Sequence, residues 1–219
     1  DPGTVLLDER MLQTPSIALQ SVIKETVRMG EIVRRSIEVA KDVLYTQDQE
    51  AIDILKNDES DVDRLCAGIT NYTIKLSSLQ ISEKEHQEAA HLLQVLSDME
   101  RVSDYCENIS EFAETLRDKK ASFSETAKKQ LKEMIEETAK SYFYALDAFK
   151  EQSHEKALRV IEKETKVDDL EVKLRSRHIK RLSNNECNTE AGIVFLDTLV
   201  CMERISDHAR NIAEEVLEE

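Results

Sequence analysis

Glycine and proline are scarce in this chain. Gly3, Gly30, Gly68, Gly192, Pro2 and Pro15 are all that its 219 residues contain, against roughly 12% in average proteins. With the glycines so placed, neither a GxGxxG dinucleotide loop nor a GxxxxGK[ST] phosphate loop can be written. A hairpin-rich β fold, which needs a turn residue about every ten positions, is excluded on the same ground. Tryptophan is absent. No run approaches the ~20 apolar residues of a membrane span, and no basic n-region followed by an apolar h-region marks a signal peptide, so the molecule is expected to be soluble. The four cysteines, Cys66, Cys106, Cys187 and Cys201, form no CxxC pair. Each reads as a small buried hydrophobe carrying a reduced, cytosolic thiol. Basic side chains are also in deficit, 30 against 45 acidic, for a net charge of -15. A chain so charged has no basic face with which to grip a phosphate backbone, and nucleic acid is not an expected partner.

What is abundant is the helix-former set, Ala, Leu, Glu, Lys, Arg, Gln and Met. The charged fraction of 34% exceeds the typical ~25%, and 40% hydrophobic residues suffice for a core. The fold class is therefore all-α. Residues 1 to 14 show no sustained period and read as a linker or arm. Thr14 as cap and Pro15 at the first helical position then open a helix to about Tyr45. A second pattern runs from Ile52 to Leu76, and a third opens on a capping box at Ser82 and Glu85 and continues to about Arg117. The second half repeats the order. A capping box at Ser122 and Glu125 starts a helix to about Phe149, Ser153 caps another to about Leu182, and a polar turn, Ser183 to Asn188, leads into the last.

The repetition extends to sequence. Met99-Glu100-Arg101-Val102-Ser103-Asp104 matches Met202-Glu203-Arg204-Ile205-Ser206-Asp207, and both copies continue to an Asn-Ile pair. Earlier, Glu59-Ser60-Asp61-Val62-Asp63-Arg64-Leu65 matches Glu164-Thr165-Lys166-Val167-Asp168-Asp169-Leu170 in nearly the same register. An internal duplication of this kind predicts two tandem three-helix bundles related by a pseudo-twofold axis, residues 20–119 and 120–219, behind an arm of residues 1–19.

Each half presents Glu-x-x-x-Asp twice: Glu59 and Asp63 with Glu100 and Asp104, then Glu164 and Asp168 with Glu203 and Asp207. Positions i and i+4 share a helix face, so each pair aims two like charges together, which is unfavourable unless a cation or a proton neutralises them. All-oxygen anionic sites suit hard or borderline metal ions, and clustered carboxylates can bridge more than one. Composition alone supplies about nine acidic i, i+4 pairs, so an isolated pair is ordinarily a solvated face. Recurrence of these carboxylates in both halves is what distinguishes them. Arg101 and Arg204 recur as well, and as surface ion pairs they would contribute under ~1 kcal/mol each. A ferritin-like di-metal oxidase needs ExxH helices facing one core. The ExxH spacings here, ending at His86, His91 and His154, are wrongly arranged for it, with His91 on the opposite face of its helix from Glu100. His208 reads as a partly exposed helical histidine, and the Tyr142, Phe143, Tyr144, Phe149 run as core. No nucleophile motif is present, and no turnover is expected.

The duplicated Glu-Arg-Val/Ile-Ser-Asp, continued in the second copy by His208-Ala209-Arg210-Asn211-Ile212-Ala213-Glu214, resembles the signature of PhoU-type proteins. So does the Glu-x-x-x-Asp-x-x-Leu beginning at Glu59 and again at Glu164. The resemblance covers about residues 20 to 219. It implies two three-helix bundles, a role in regulating phosphate uptake, and metal ligation, with iron, zinc, manganese or magnesium as the candidate ions. The implied ligands are Glu59, Asp63, Glu100, Asp104, Glu164, Asp168, Glu203 and Asp207. The family's usual glycine within the third-helix motif is Ser103 and Ser206 here, which adds bulk beside the carboxylates. The arm, Leu7 to Leu19, is similar to the segment that follows the membrane domain in bacterial sodium/phosphate cotransporters with a C-terminal PhoU-like domain. That likeness, with the start at Asp1 rather than Met, implies a regulatory domain on the cytoplasmic side of the inner membrane. Its partners would be its own transporter's membrane domain, a second copy in a homodimer, and inorganic phosphate. The alternatives are a free-standing PhoU-type regulator and a helical interaction module without metal.

Overall fold

The structure, a computed structural model, describes residues 1–218. They form six α-helices, α1 (Pro15–Thr46), α2 (Gln49–Ser77), α3 (Glu83–Asp118), α4 (Glu125–Glu151), α5 (His154–Ser183) and α6 (Thr189–Leu217), preceded by a short 3-10 helix over Glu9–Gln13, and contain no strand. The starts are dictated locally. Asp48, Ser82, Ser124, Ser153 and Asn188 each accept a hydrogen bond from the backbone N–H three residues on, satisfying one of the donors that a helix start leaves free. At Ser82 the reciprocal bond from Glu85 completes the expected capping box. The second expected box is displaced: Ser124, not Ser122, caps α4, which leaves Glu125 in the first helical position, too early to reach back. Thr14 precedes Pro15 as expected but makes no side-chain cap among the described residues; its backbone N–H instead closes the 3-10 helix on Met11.

The apolar stripes pack α1, α2 and α3 on one another, and α4, α5 and α6 likewise, giving two three-helix bundles. A seam of α3 along α6 and α1 against α4 joins them, away from α2 and α5. Met99, Val102, Cys106 and Ile109 from α3 and Met202, Ile205, Ala209 and Ile212 from α6 are buried. Where α1 meets α4, Gly30 permits close approach: a Cβ there would lie 2.6 Å from Leu146 Cδ1, and the Tyr142 hydroxyl donates to the Gly30 carbonyl at 2.8 Å. Of the cysteines, Cys66, Cys106 and Cys201 are buried as expected, whereas Cys187, in the α5–α6 turn, is half-exposed because that segment lies off the core.

The arm is held in place. Arg28 donates to the carbonyls of Pro2 and Thr4, Leu6 N–H donates to Glu25, and Tyr72 Oη donates to the Asp8 carbonyl at 2.9 Å. Val5 lies so close to α2 that a Cβ at Gly68 would collide with it. Residues 15–19, grouped with the arm in the sequence, are the first turns of α1.

Candidate metal centre

Two pairs of neighbouring helices bring the predicted carboxylates together, once in each half. In the first, one oxygen each from Glu59 and Asp63 of α2 and Asp104 of α3 lie within 4.8 Å of one another. Glu100, one turn before Asp104, accepts a hydrogen bond from the Cys66 thiol at 3.2 Å. Burial, then the adjacent Asp63 and Glu107, push Glu59 up to about 8. Burial first, and then neighbouring carboxylates, also raise Glu100, Asp104 and Glu107. A carboxyl held this far up signals anions crowded where water screens them poorly.

The second cluster reproduces this. Oxygens of Glu164 and Asp168 of α5 and Asp207 of α6 again lie within 4.8 Å of one another. Burial, followed by neighbouring carboxylates, raises Glu164, Glu203 and Asp207. Six of the eight carboxylates singled out by the repeat thus converge in two groups of three, while Glu100 and Glu203 stand outside that span, near enough for the charges of Asp63 and Asp104, and of Asp207 and Asp168, to act on them.

The surroundings of the two groups were not read from sequence, and they differ. Glu107 adds a fifth carboxylate to the first cluster. Its counterpart in the repeat register is Arg210, which donates to Glu164 at 2.9 Å. Glu171 approaches Glu203 in the second cluster, and Arg175 neutralises it from one turn along α5. Glu107 lies three residues beyond Asp104, a helical spacing that could have identified it; its interaction with Glu59 crosses between helices and has no signal within either segment.

The residues fit a cation. Asp63 Oδ1 and Asp168 Oδ1, equivalent atoms of the two clusters, are both buried and lack a hydrogen-bond partner among the described residues. A buried carboxylate oxygen left without a donor is costly, and its repetition at equivalent positions argues against accident. A hard or borderline metal ion would satisfy both the orphan oxygens and the like-charge crowding. Ser103 Oγ and Ser206 Oγ, each one residue before a cluster aspartate, are likewise buried and unpartnered among the described residues.

Between the clusters, on the α3–α6 seam, Tyr105 and His208 stack with ring centroids 6.0 Å apart. Arg101 donates to the Tyr105 hydroxyl at 2.9 Å and Arg204 reaches it at 3.4 Å. His208 pairs with the buried Asp98 at 2.8 Å, and Asn211 donates to the same oxygen. His208 is thus half-buried and engaged across the seam. Arg101 also pairs with Asp104, so one of the repeated arginines makes the expected exposed ion pair.

The family model for the PhoU domain matches this chain twice, over residues 26–113 and 131–216, which takes in both clusters. The chain belongs to the PhoU family. A Xylella fastidiosa protein named as a phosphate-specific transport system accessory protein PhoU homolog is 28% identical over 91% of this chain and 83% of its own length. The Escherichia coli protein YjbB, named as a putative inorganic phosphate export protein, is 24% identical over 97% of this chain, which spans only 39% of YjbB. The crystal structure of PhoU from Pseudomonas aeruginosa superposes with a TM-score of 0.84 at 21% identity, covering 91% of this chain and 95% of that one, so the tandem-bundle fold is shared. No helix among the described residues of this PhoU chain is long and apolar enough to cross a membrane.

Proposed function

We propose that this chain is a PhoU-type regulator of phosphate transport that carries metal ions on its two carboxylate clusters. Membership of the family and the likeness to a transport-system accessory protein over most of both lengths support the regulatory role. The repeated orphan oxygens of Asp63 and Asp168 carry the metal assignment. Glu59, Asp63, Glu100 and Asp104 would hold iron, zinc, manganese or magnesium in the first half, and Glu164, Asp168, Glu203 and Asp207 in the second. The metal would supply positive charge to an acidic surface, allowing it to take inorganic phosphate or an anionic partner that the bare carboxylates would repel. Regulation then requires that the loaded face bind one state of a transporter better than another. The test is phosphate uptake in cells deleted for this protein and supplied with wild type or with Asp63→Asn/Asp168→Asn. Wild type should restore regulated uptake and the variant should not. Uptake indifferent to the deletion would contradict the role.

A second reading, in which the chain is the regulatory part of a larger phosphate-transport membrane protein, with its own membrane domain as partner, draws on one observation. The match to YjbB leaves only a few residues of this chain outside it and so takes in part of the arm, whereas the family model begins at residue 26. An immunoblot of native cell fractions separates the two. A soluble band at the mass of this chain alone favours the free regulator, and a longer polypeptide in the membrane fraction favours the second.

A further inference from the structure

At the far end of the α3–α6 seam from the central Tyr105, three donors converge that belong to neither carboxylate cluster. The Nδ1 atom of His91 on α3 meets the carboxylate of Glu215 on α6, and Glu218, one turn further, brings an oxygen within the same 4.8 Å span. His91 and Glu215 are half-buried, with side chains 22% and 19% exposed, and Glu218 is exposed. Two cavities open against this group. One, of about 300 Å3, is walled by Ile23, Leu92 and Phe149; the other, of about 310 Å3, by Lys84, Gln87 and Glu218, and both are lined by Glu88 and His91.

The internal repeat gives an independent comparison. In its register the counterparts of His91, Glu215 and Glu218 are Val194, Phe112 and Thr115, none of which offers a strong metal donor. The triad is therefore peculiar to one end of the molecule, unlike the duplicated carboxylates. Its chemistry differs too. An imidazole nitrogen is a borderline donor that favours zinc and its first-row neighbours over magnesium or calcium, and two carboxylates balance a divalent charge. Three protein ligands leave a coordination position open, and here it would face the cavities, where water or a small anion can enter and Glu88 can receive a hydrogen bond from it.

We infer that His91, Glu215 and Glu218 form a separate site for one zinc-class divalent ion at the end of the bundle seam, with its open position directed into the adjoining cavities. The inference does not depend on the proposed function. The alternative is a simple hydrogen bond between His91 and Glu215 that ties α3 to α6. The two are separated by long-range 1H–15N NMR of the imidazoles in the chelator-treated full chain, titrated with zinc chloride and, separately, magnesium chloride. The His91 ring nitrogens should shift to the pattern of a metal-bound imidazole with zinc but not with magnesium, while His86, His154 and His178 stay in place. Glu215→Gln, which keeps the side-chain shape, should weaken that zinc response by at least ~10-fold, and Glu218→Gln should weaken it less. His91 resonances unmoved at millimolar zinc, or an undiminished response in Glu215→Gln, would overturn the site.

Discussion

Single residues here carry charge problems with measurable consequences. His178 is 1% exposed, stacks on Phe195 at 4.0 Å and accepts a hydrogen bond from Arg181. Burial, and then the Arg181 guanidinium, hold its pKa down to about 4 from 6.5. As pH falls through that window the unfolded chain takes up the proton first, so the folded state loses stability. In urea unfolding the contribution of this residue should therefore be level above pH ~6.5 and decline by on the order of 2–3 kcal/mol by pH ~4, superposed on the opposite slope from Glu59, whose raised carboxyl loses stability as pH rises toward about 8. His178→Gln should remove that component, and an unchanged pH profile in the variant would assign the slope elsewhere. The carboxylate clusters have the opposite character. In chelator, Asp63→Asn or Asp168→Asn should raise stability by about 0.5–1 kcal/mol each by relieving repulsion, while abolishing any stabilisation by added metal. At this scale the sequence was informative about which carboxylates gather, because they recur. It was silent about His178, whose environment is made by α6.

At the scale of the helices, the turns repeat as faithfully as the motifs. The α1–α2 and α4–α5 turns each place a glutamine, Gln47 or Gln152, in the left-handed region at φ 53° and 51°, with its N–H bonded to Val43 or Ala148. Both belong to the same repeat register. Glycine adopts this conformation without the steric cost that glutamine bears, so Gln47→Gly and Gln152→Gly should each stabilise by roughly 0.5–1 kcal/mol in urea unfolding. At the α1–α4 crossing the reverse holds: Gly30→Val should cost about 1–3 kcal/mol, because Leu146 and Met99 occupy the space a larger side chain would need. Helix number, order and approximate ends were legible from apolar spacing and capping residues. The start of α4 was not, since Ser122 and Ser124 offer equivalent chemistry and tertiary packing chooses between them. The fixed arm was missed because its anchors, Arg28, Tyr72 and Gly68, lie far from it in sequence.

For the whole molecule, duplication makes the candidate site legible, and departures from duplication define what the sequence could not reveal. Glu107 and Arg210 stand at equivalent positions, so the first cluster carries a carboxylate where the second carries a guanidinium. The account predicts unequal sites. Calorimetric titration with manganese should find the first half binding more tightly. Glu107→Gln should weaken that site by about 10-fold, and Arg210→Gln should strengthen the second by a similar factor. Metal bound only to the folded chain also stabilises it, by about 2.7 kcal/mol at a hundredfold excess over Kd. These effects presuppose that the clusters hold metal at all. The most direct measurement is elemental analysis by mass spectrometry of the full chain purified without chelator or nickel affinity, beside Asp63→Asn/Asp104→Asn/Asp168→Asn/Asp207→Asn. The account predicts iron, zinc or manganese in at least stoichiometric amount in wild type, falling in the variant to no more than the single ion of the His91 site. A wild-type protein free of metal, stable, and unaffected by added ions would contradict it.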